Sequence, residues 1–598
     1  MVDSAVAMSK RSAPFKIPAG WALLTTAALC FGYLLWKQPA SPAGQVQKVP
    51  NFRMLDHQGR SHELYYYRDA KAVVLFWQGN GCPIVRLSVS KIAELEKKYA
   101  QRGVLFFMVN ANPQDDLDSI SREAEEFRIS LPILKDETQF ITSSLGVERT
   151  ADAVLIDPKS WTVAYHGPLD DSLGYESQRS ASSHRYLDEA IDSLLRKKRI
   201  KKQRVEAKGC LIDLPDKNRQ ISYEKEVAPI LQQKCLRCHN PGGMGPWAMT
   251  GYPRVKGWAR MMEEVLLTKR MPPGGTDPRY GRFFDDPSLS TEESKTLLEW
   301  IQNGCPRGQG ADPLETPLPP IEEWPLGKPD EVILLPVQSI PATGIVPWKL
   351  LRIETHFGGD KWLRAAELVP SNQKILHHAT VDTGRPSPQF NMETDPSLDR
   401  IGVFLPGLTA GVYPDQTGGF LAEGDTLHFV LHYVTTGKPE EDHPKLALYF
   451  HPSKPLHRMR VAFSNLLEIR IPPNKSDYLV KGDRIRFSKD VLLYTMCPHM
   501  HYRARSFKAT ALYPDGTSEI LLSVPDYSFN WQRVYRLKEP KRLPAGTVIE
   551  SEAVFDNSKN NPLNPDASQW VSFGFQSFNE MLALFVNYVE LDDHTDIH

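Results

Sequence analysis

Cys235-Leu-Arg-Cys238-His239 puts two thiols and an imidazole within five residues. Thiols three positions apart sit one helical turn apart. Both can then bond the vinyl groups of a haem while the adjacent histidine ligates its iron, so C-x-x-C-H is the attachment pattern of c-type haem. A second set lies further on: His377-His378 in KILHHATV, His432 in FVLHYV, His499-Met-His501 in CPHMHYRARS and Met581 in FNEMLALFVNYV. His499 and His501, two apart on a predicted strand, point to one face. Two imidazoles and a thioether form a soft-leaning donor set that copper accepts and zinc seldom does. His377 and His378 are adjacent and would point to opposite faces of a regular strand, so a shared ion there requires a bulge or twist. Cys82, in FWQGNGCPIVR, follows a predicted strand and opens a helix, where the helix N-terminus favours thiolate. His356, His428, His451 and His457 fall in no such pattern and read as structural.

These groups must be positioned by a chain of 598 residues, enough for about four domains at ~150 residues each. At 41% hydrophobic and 24% charged, the composition excludes a disordered, collagen-like or polytopic membrane protein. With 71 basic against 72 acidic residues no global field recruits nucleic acid, and no nucleic-acid partner is expected. Seven cysteines are too few for a disulfide scaffold. Residues 17–36, IPAGWALLTTAALCFGYLLW, run without a charge after Lys10, Arg11 and Lys16. Twenty helical residues span ~30 Å, so 17–37 reads as a single-pass anchor with 1–16 in the cytoplasm. Ser41-Pro-Ala43 leaves open the rival reading of a cleaved signal. Residues 47–205 alternate strand and helix: AVVLFWQ (72–78), an amphipathic helix over 89–103, VLFFMVNAN (104–112) and AVLIDP (153–158). Residues 215–310 read as helical. From about 330 short strands with Gly, Pro and Asp punctuation predict two β-sandwiches, 330–478 and 479–595. The fold class expected is thus multidomain: an anchor, an α/β domain, an all-α domain and two all-β sandwiches. The basic run 196–204 reads as a solvated helix end.

Three resemblances sharpen this. The C-x-x-C-H segment, with the helix YEKEVAPILQQK before it and Met271-Pro-Pro after it, resembles small cytochrome c domains of multidomain bacterial proteins. That likeness implies one covalent haem on Cys235 and Cys238, His239 and Met271 as axial ligands, and a bacterial periplasmic location at the inner membrane. The order His-His, His-Tyr, His-x-His, Glu-Met over about 330–595 resembles the copper type II, ascorbate-dependent monooxygenases, the family of peptidylglycine hydroxylating and dopamine β-monooxygenases. It implies two coppers: one for electron transfer on His377, His378 and His432, and one for dioxygen on His499, His501 and Met581. It also implies two jelly-roll-like sandwiches facing a solvent-filled gap. The reaction implied is O2-dependent hydroxylation of a C–H bond in a small molecule or peptide. Ascorbate, a periplasmic donor or the resident haem would supply the electrons. Peptide-amidating members carry Arg two residues before His-x-His, where this chain has Cys497, and Asn and Tyr after the ligand Met, where it has Ala583 and Phe585; this argues against a peptide C-terminus as substrate. Finally, the βαβ region resembles redoxins of the peroxiredoxin/thioredoxin superfamily, with Gly79 at the first position of their C-x-x-C-P and Thr150-Ala151 at their Thr-cis-Pro. Cys82 would be the redox thiol. Cys210 can pair with Cys82, pair with Cys305 or stay free.

Overall fold

The computed structural model describes residues 47–173, 178–179, 182–216, 219–284, 286–315, 324–385, 399–405 and 411–592. The expected cytoplasmic segment 1–16 and anchor 17–37 lie outside these. Among the described residues no helix is long and apolar enough to cross a membrane.

The first segment is a five-stranded sheet in the order Ile133–Lys135, Val104–Asn110, Ala72–Gln78, Ala153–Asp157, Thr162–Gly167. The first three strands run parallel and the last two antiparallel. All seven residues of Ala72–Gln78 are buried, because both faces of the sheet are covered. Val74 and Phe76 enter one core; Val73, Leu75 and Trp77 enter the other. The helix after this strand spans Pro83–Tyr99, with Cys82 as its N-cap. It starts before the expected residue 89 because Pro83 presets the first helical turn. A left-handed Gly103 ends the short 3₁₀ turn that follows it.

Residues 219–315 form helices Ala228–Lys234, Tyr252–Leu267 and Thr291–Gln302, the last opened by a Ser290/Glu293 capping box. They close around Tyr223, Leu231, Met262 and Trp300. Leu267 and Leu298 also enter the core of the five-stranded sheet, and Phe283 enters that of the last domain. The helical segment is therefore wedged between its neighbours.

Two β-sandwiches follow. In the first, the sheet Lys349–Glu354, Thr426–Tyr433, Leu376–Gly384, Asp399–Phe404 packs on one built around Lys361–Val369 and Lys445–Phe450. Strand alternation sends Leu427, Phe429 and Leu431 inward and leaves Val430 and His432 on the outer face. In the second, the sheet Arg460–Asn465, Ala583–Glu590, Val491–His499, Tyr535–Leu543 packs on one built around Ala504–Leu512 and Val548–Phe555. The boundary differs from the expected 478/479. Arg460–Asn465 pairs along its whole length with Ala583–Glu590, so the second sandwich begins at about residue 460. The period-2 pattern is the same on either side of this point and gives no local sign of which sheet a strand joins.

Candidate functional site

His377 and His378 open the strand Leu376–Gly384, and His432 closes its neighbour Thr426–Tyr433, with His378 directly opposite His432. The register shifts between Leu376 and His378. This irregularity lets two adjacent histidines share a face. Nδ1 of His377 lies 2.9 Å from Nδ1 of His378. One ligand atom from each of His377, His378 and His432 falls within 4.8 Å of the others. Nδ1 of His432 is buried with no hydrogen-bond partner. Nε2 of His377 is likewise buried without a partner, and such imidazole nitrogens are costly unless a cation collects them. Burial first, then the neighbouring imidazoles, lowers His377 to about 4 and His432 to about 3, and carries His378 well below the ordinary value. All three are neutral near pH 7, as metal ligation demands.

His499 ends the strand Val491–His499 and shares its face with Thr495 and Cys497. Its Nδ1 donates to the Gln532 amide oxygen at 2.9 Å, which leaves Nε2 as the donor atom for an ion. Nδ1 of His501 faces the Asn579 carbonyl at 3.4 Å. Burial lowers His499 to about 4 and His501 well below its usual value. Met581 is buried and lines the same cavity as His499 and His378. The buried Glu580 carboxylate takes N–H bonds from His501 (2.9 Å), Arg503 (2.6 Å) and Met581 (3.3 Å) and so ties the His-x-His turn to the methionine.

The resemblance implied a solvent-filled gap between the two sets, and here the structure differs. The ring centroids of His378 and His499 are 5.6 Å apart. Phe529, on a 3₁₀ turn of the second sandwich, stacks on His377 at 4.6 Å and sits 6.0 Å from His501. Arg400 of the first sandwich lies over Phe585 of the second at 4.5 Å. These contacts bring the two sandwiches together at the histidines. What stays open is one cavity of about 520 Å³ beside the histidines, lined by His378, His499 and Met581 and, at another part of its wall, by Cys238, Pro272 and Pro273.

Cys235 and Cys238 follow the helix Ala228–Lys234. Nδ1 of His239 donates to the Trp247 carbonyl at 2.9 Å, which leaves Nε2 as the ring's electron-pair donor. A Cβ on Gly245 would stand 2.8 Å from both the Cys238 carbonyl and the His239 ring, so only glycine lets the chain wrap this motif so tightly. Met271 is half-buried on the loop after Tyr252–Leu267, next to the two cavity-lining prolines.

Cys82 Sγ lies 3.0 Å from Cys210 Sγ and 3.1 Å from the Thr150 hydroxyl. Of the open alternatives for Cys210, the structure brings it to Cys82; Cys305 is buried in the helical core. Burial alone would raise the Cys82 thiol. Hydrogen bonds from Cys210, Thr150 and the Val85 backbone outweigh it and hold Cys82 below the ordinary thiol value, while burial and Cys82 itself raise Cys210.

Residues 46–170 match the sequence model of the AhpC/TSA family. The thiol-disulfide oxidoreductase ResA of Geobacillus thermodenitrificans is 29% identical over 109 residues, or 18% of this chain and 61% of that relative's length. This chain carries a thioredoxin-like redoxin domain. Among solved structures, a hypothetical protein of Sinorhizobium meliloti is 25% identical over 28% of this chain and 94% of its own, with a TM-score of 0.26. Peroxidoxin BcpB of Mycobacterium tuberculosis is 20% identical over 25% and 96%, with a TM-score of 0.20.

In the redoxin domain Gly79 packs against Asn112, whose amide nitrogen would be only 2.2 Å from an added Cβ. A side chain at the position of the usual first cysteine would displace the Asn112 amide from Asp115. Three residues around the histidines carry no sequence signal of their own: Trp348 against His378 and His432, Phe529 and Gln532. Glu580, which bonds the His501 backbone, had a cue in the Glu-Met pair.

Proposed function

We propose that this protein is a copper- and haem-containing oxidoreductase that hydroxylates a C–H bond with dioxygen, anchored at a bacterial inner membrane with its domains in the periplasm. The observation that carries this reading is the single cavity whose wall includes His378, His499 and Met581 together with Cys238. His377, His378 and His432 would hold one copper, and His499, His501 and Met581 the other. Cys235, Cys238 and His239 would hold the haem, with Met271 as its second axial ligand. Bound copper would supply one-electron and dioxygen chemistry, and bound haem an electron store filled by ascorbate or a periplasmic donor. The residues present do the rest. Gln532 fixes the tautomer of His499, Glu580 holds the His501 and Met581 backbones together, and Phe529 packs between His377 and His501. Phe585, Val430 and Trp531 give the cavity apolar walls, while Lys234, Arg237, Arg400, Arg533 and Arg536 line it and, among the described residues, no carboxylate does. An apolar compound with an anionic edge suits such a wall. Aerobic turnover with a panel of such compounds, read by mass spectrometry for one added oxygen atom, tests the proposal. Met581→His should keep copper and lose product. Product formed by copper-free protein would overturn the reading.

A second reading concerns the redoxin domain alone and rests on the 3.0 Å sulfur contact: Cys82 and Cys210 form a reversible disulfide.

A further inference from the structure

Cys82 stands where a redox thiol is expected, yet it is only 4% exposed, while Cys210 is exposed. What covers Cys82 is the chain itself. Residues 209–212 lie antiparallel along 148–150: the Thr150 N–H donates to the Cys210 carbonyl at 2.9 Å, the Ile212 N–H to the Glu148 carbonyl at 3.0 Å, and Arg149 bridges Leu211. The Cys210 N–H donates to the Thr150 hydroxyl at 2.9 Å. Gly209 is pressed so closely on Thr150 that a Cβ would fall 1.7 Å from the Thr150 carbonyl oxygen. No side chain fits there, and the absence of one is what lets this strand seat.

We propose that thiol–disulfide exchange with outside partners runs through Cys210, and that Cys82 is the internal thiol that releases and resolves it. This rests on the reading of the two cysteines as a redox pair. The partner class is an exposed thiol or disulfide on a peptide or small molecule. With the pair oxidised, a partner thiolate attacks Cys210 Sγ. The Cys210–partner bond forms, the Cys82–Cys210 bond breaks and Cys82 leaves as thiolate. A second thiol of the partner then displaces Cys210. Two electrons have moved from the partner dithiol, now a disulfide, to the cysteine pair, and two protons are shared out among the thiols. Access and leaving-group quality both favour this direction. The attacked sulfur is the exposed one, and the departing sulfur sits at a helix N-terminus with hydrogen bonds that hold it below the ordinary thiol value. In the reverse direction the Cys210 thiolate attacks a partner disulfide and Cys82 resolves the mixed disulfide.

The test uses the full-length protein and oxidised glutathione, with tryptic mapping after alkylation. Cys82→Ser should accumulate glutathione on Cys210. Cys210→Ser should acquire it on Cys82 at least about tenfold more slowly, because the strand still covers that sulfur. Gly209→Val should unseat the strand and speed labelling of Cys82. In the oxidised wild type, reduced glutathione should appear on Cys210. Glutathione on Cys82 first, or at equal rates in the two serine variants, would overturn the assignment while leaving the redox pair intact. Oxidation that yields a Cys210–Cys305 peptide, or two free thiols, would overturn the pair as well.

Discussion

Glu580→Gln isolates what one buried carboxyl group does for the histidine cluster. Oε2 accepts from His501 and Met581, and Oε1 accepts from Arg503. Glutamine has one acceptor oxygen. Turned to keep two of the bonds, it presents its NH2 to the Arg503 N–H and leaves that donor buried and unpaired. Arg503 is itself buried, its guanidinium held by Asn557 and the Phe578 carbonyl, so no water reaches the gap. Burial pushes the Glu580 carboxyl up to about 8, so the bond is not credited with a charge; one lost hydrogen bond with an orphaned buried donor costs about 2 kcal/mol. In a domain of this size that lowers the unfolding temperature by roughly 4–8 °C. Calorimetry of metal-free full-length protein measures the shift. Because the same carboxylate ties the His-x-His turn to Met581, copper titration should show one of two coppers bound more weakly and the other unchanged. An unfolding temperature equal to wild type, with both coppers bound as before, would refute the role given to Glu580.

Non-reducing peptide maps of oxidised protein should contain a Cys82–Cys210 peptide, and a Cys210–Cys305 peptide would contradict the geometry. Haem should survive denaturation and acid-acetone extraction, and disappear in Cys235→Ala/Cys238→Ala; haem that extracts from the wild type would reject covalent attachment. Metal-free protein should lose stability as pH falls. His377, His432 and His499 have folded values of about 4, 3 and 4, below their unfolded values near 6.5. The unfolded chain therefore binds protons first between about pH 6.5 and pH 4, and stability drops through that window. Copper loading should flatten the dependence, since bound metal keeps the imidazoles neutral. A metal-free stability that stays constant from pH 7 to about pH 4 would contradict their burial.

Much of this was legible from residue types and spacing. Ala72–Gln78 is an unbroken apolar run, which is how a strand covered on both faces reads, and it forms the central strand of the redoxin sheet. The need for an irregularity at His377-His378 followed from period-2 geometry alone, and a register shift lies there. The sandwich boundary was not legible, because Arg460–Asn465 finds its partner more than a hundred residues away. The closure between the histidine sets was hidden for a similar reason. It depends on Phe529, in a three-residue turn, meeting His377 from another domain. Nor could spacing say that Gly209 is obligatory, since the group it must avoid is the backbone of Thr150.

On the proposed function, the Cys235–His239 segment and the histidine cluster serve one cavity, and electrons pass between them within one chain. Anaerobic stopped flow tests it most directly. Haem reduced beforehand, in protein loaded with Cu(II), should oxidise at a rate independent of protein concentration, and should stay reduced in His377→Ala/His378→Ala. A haem signal indifferent to copper, or a rate that scales with protein concentration, would contradict it.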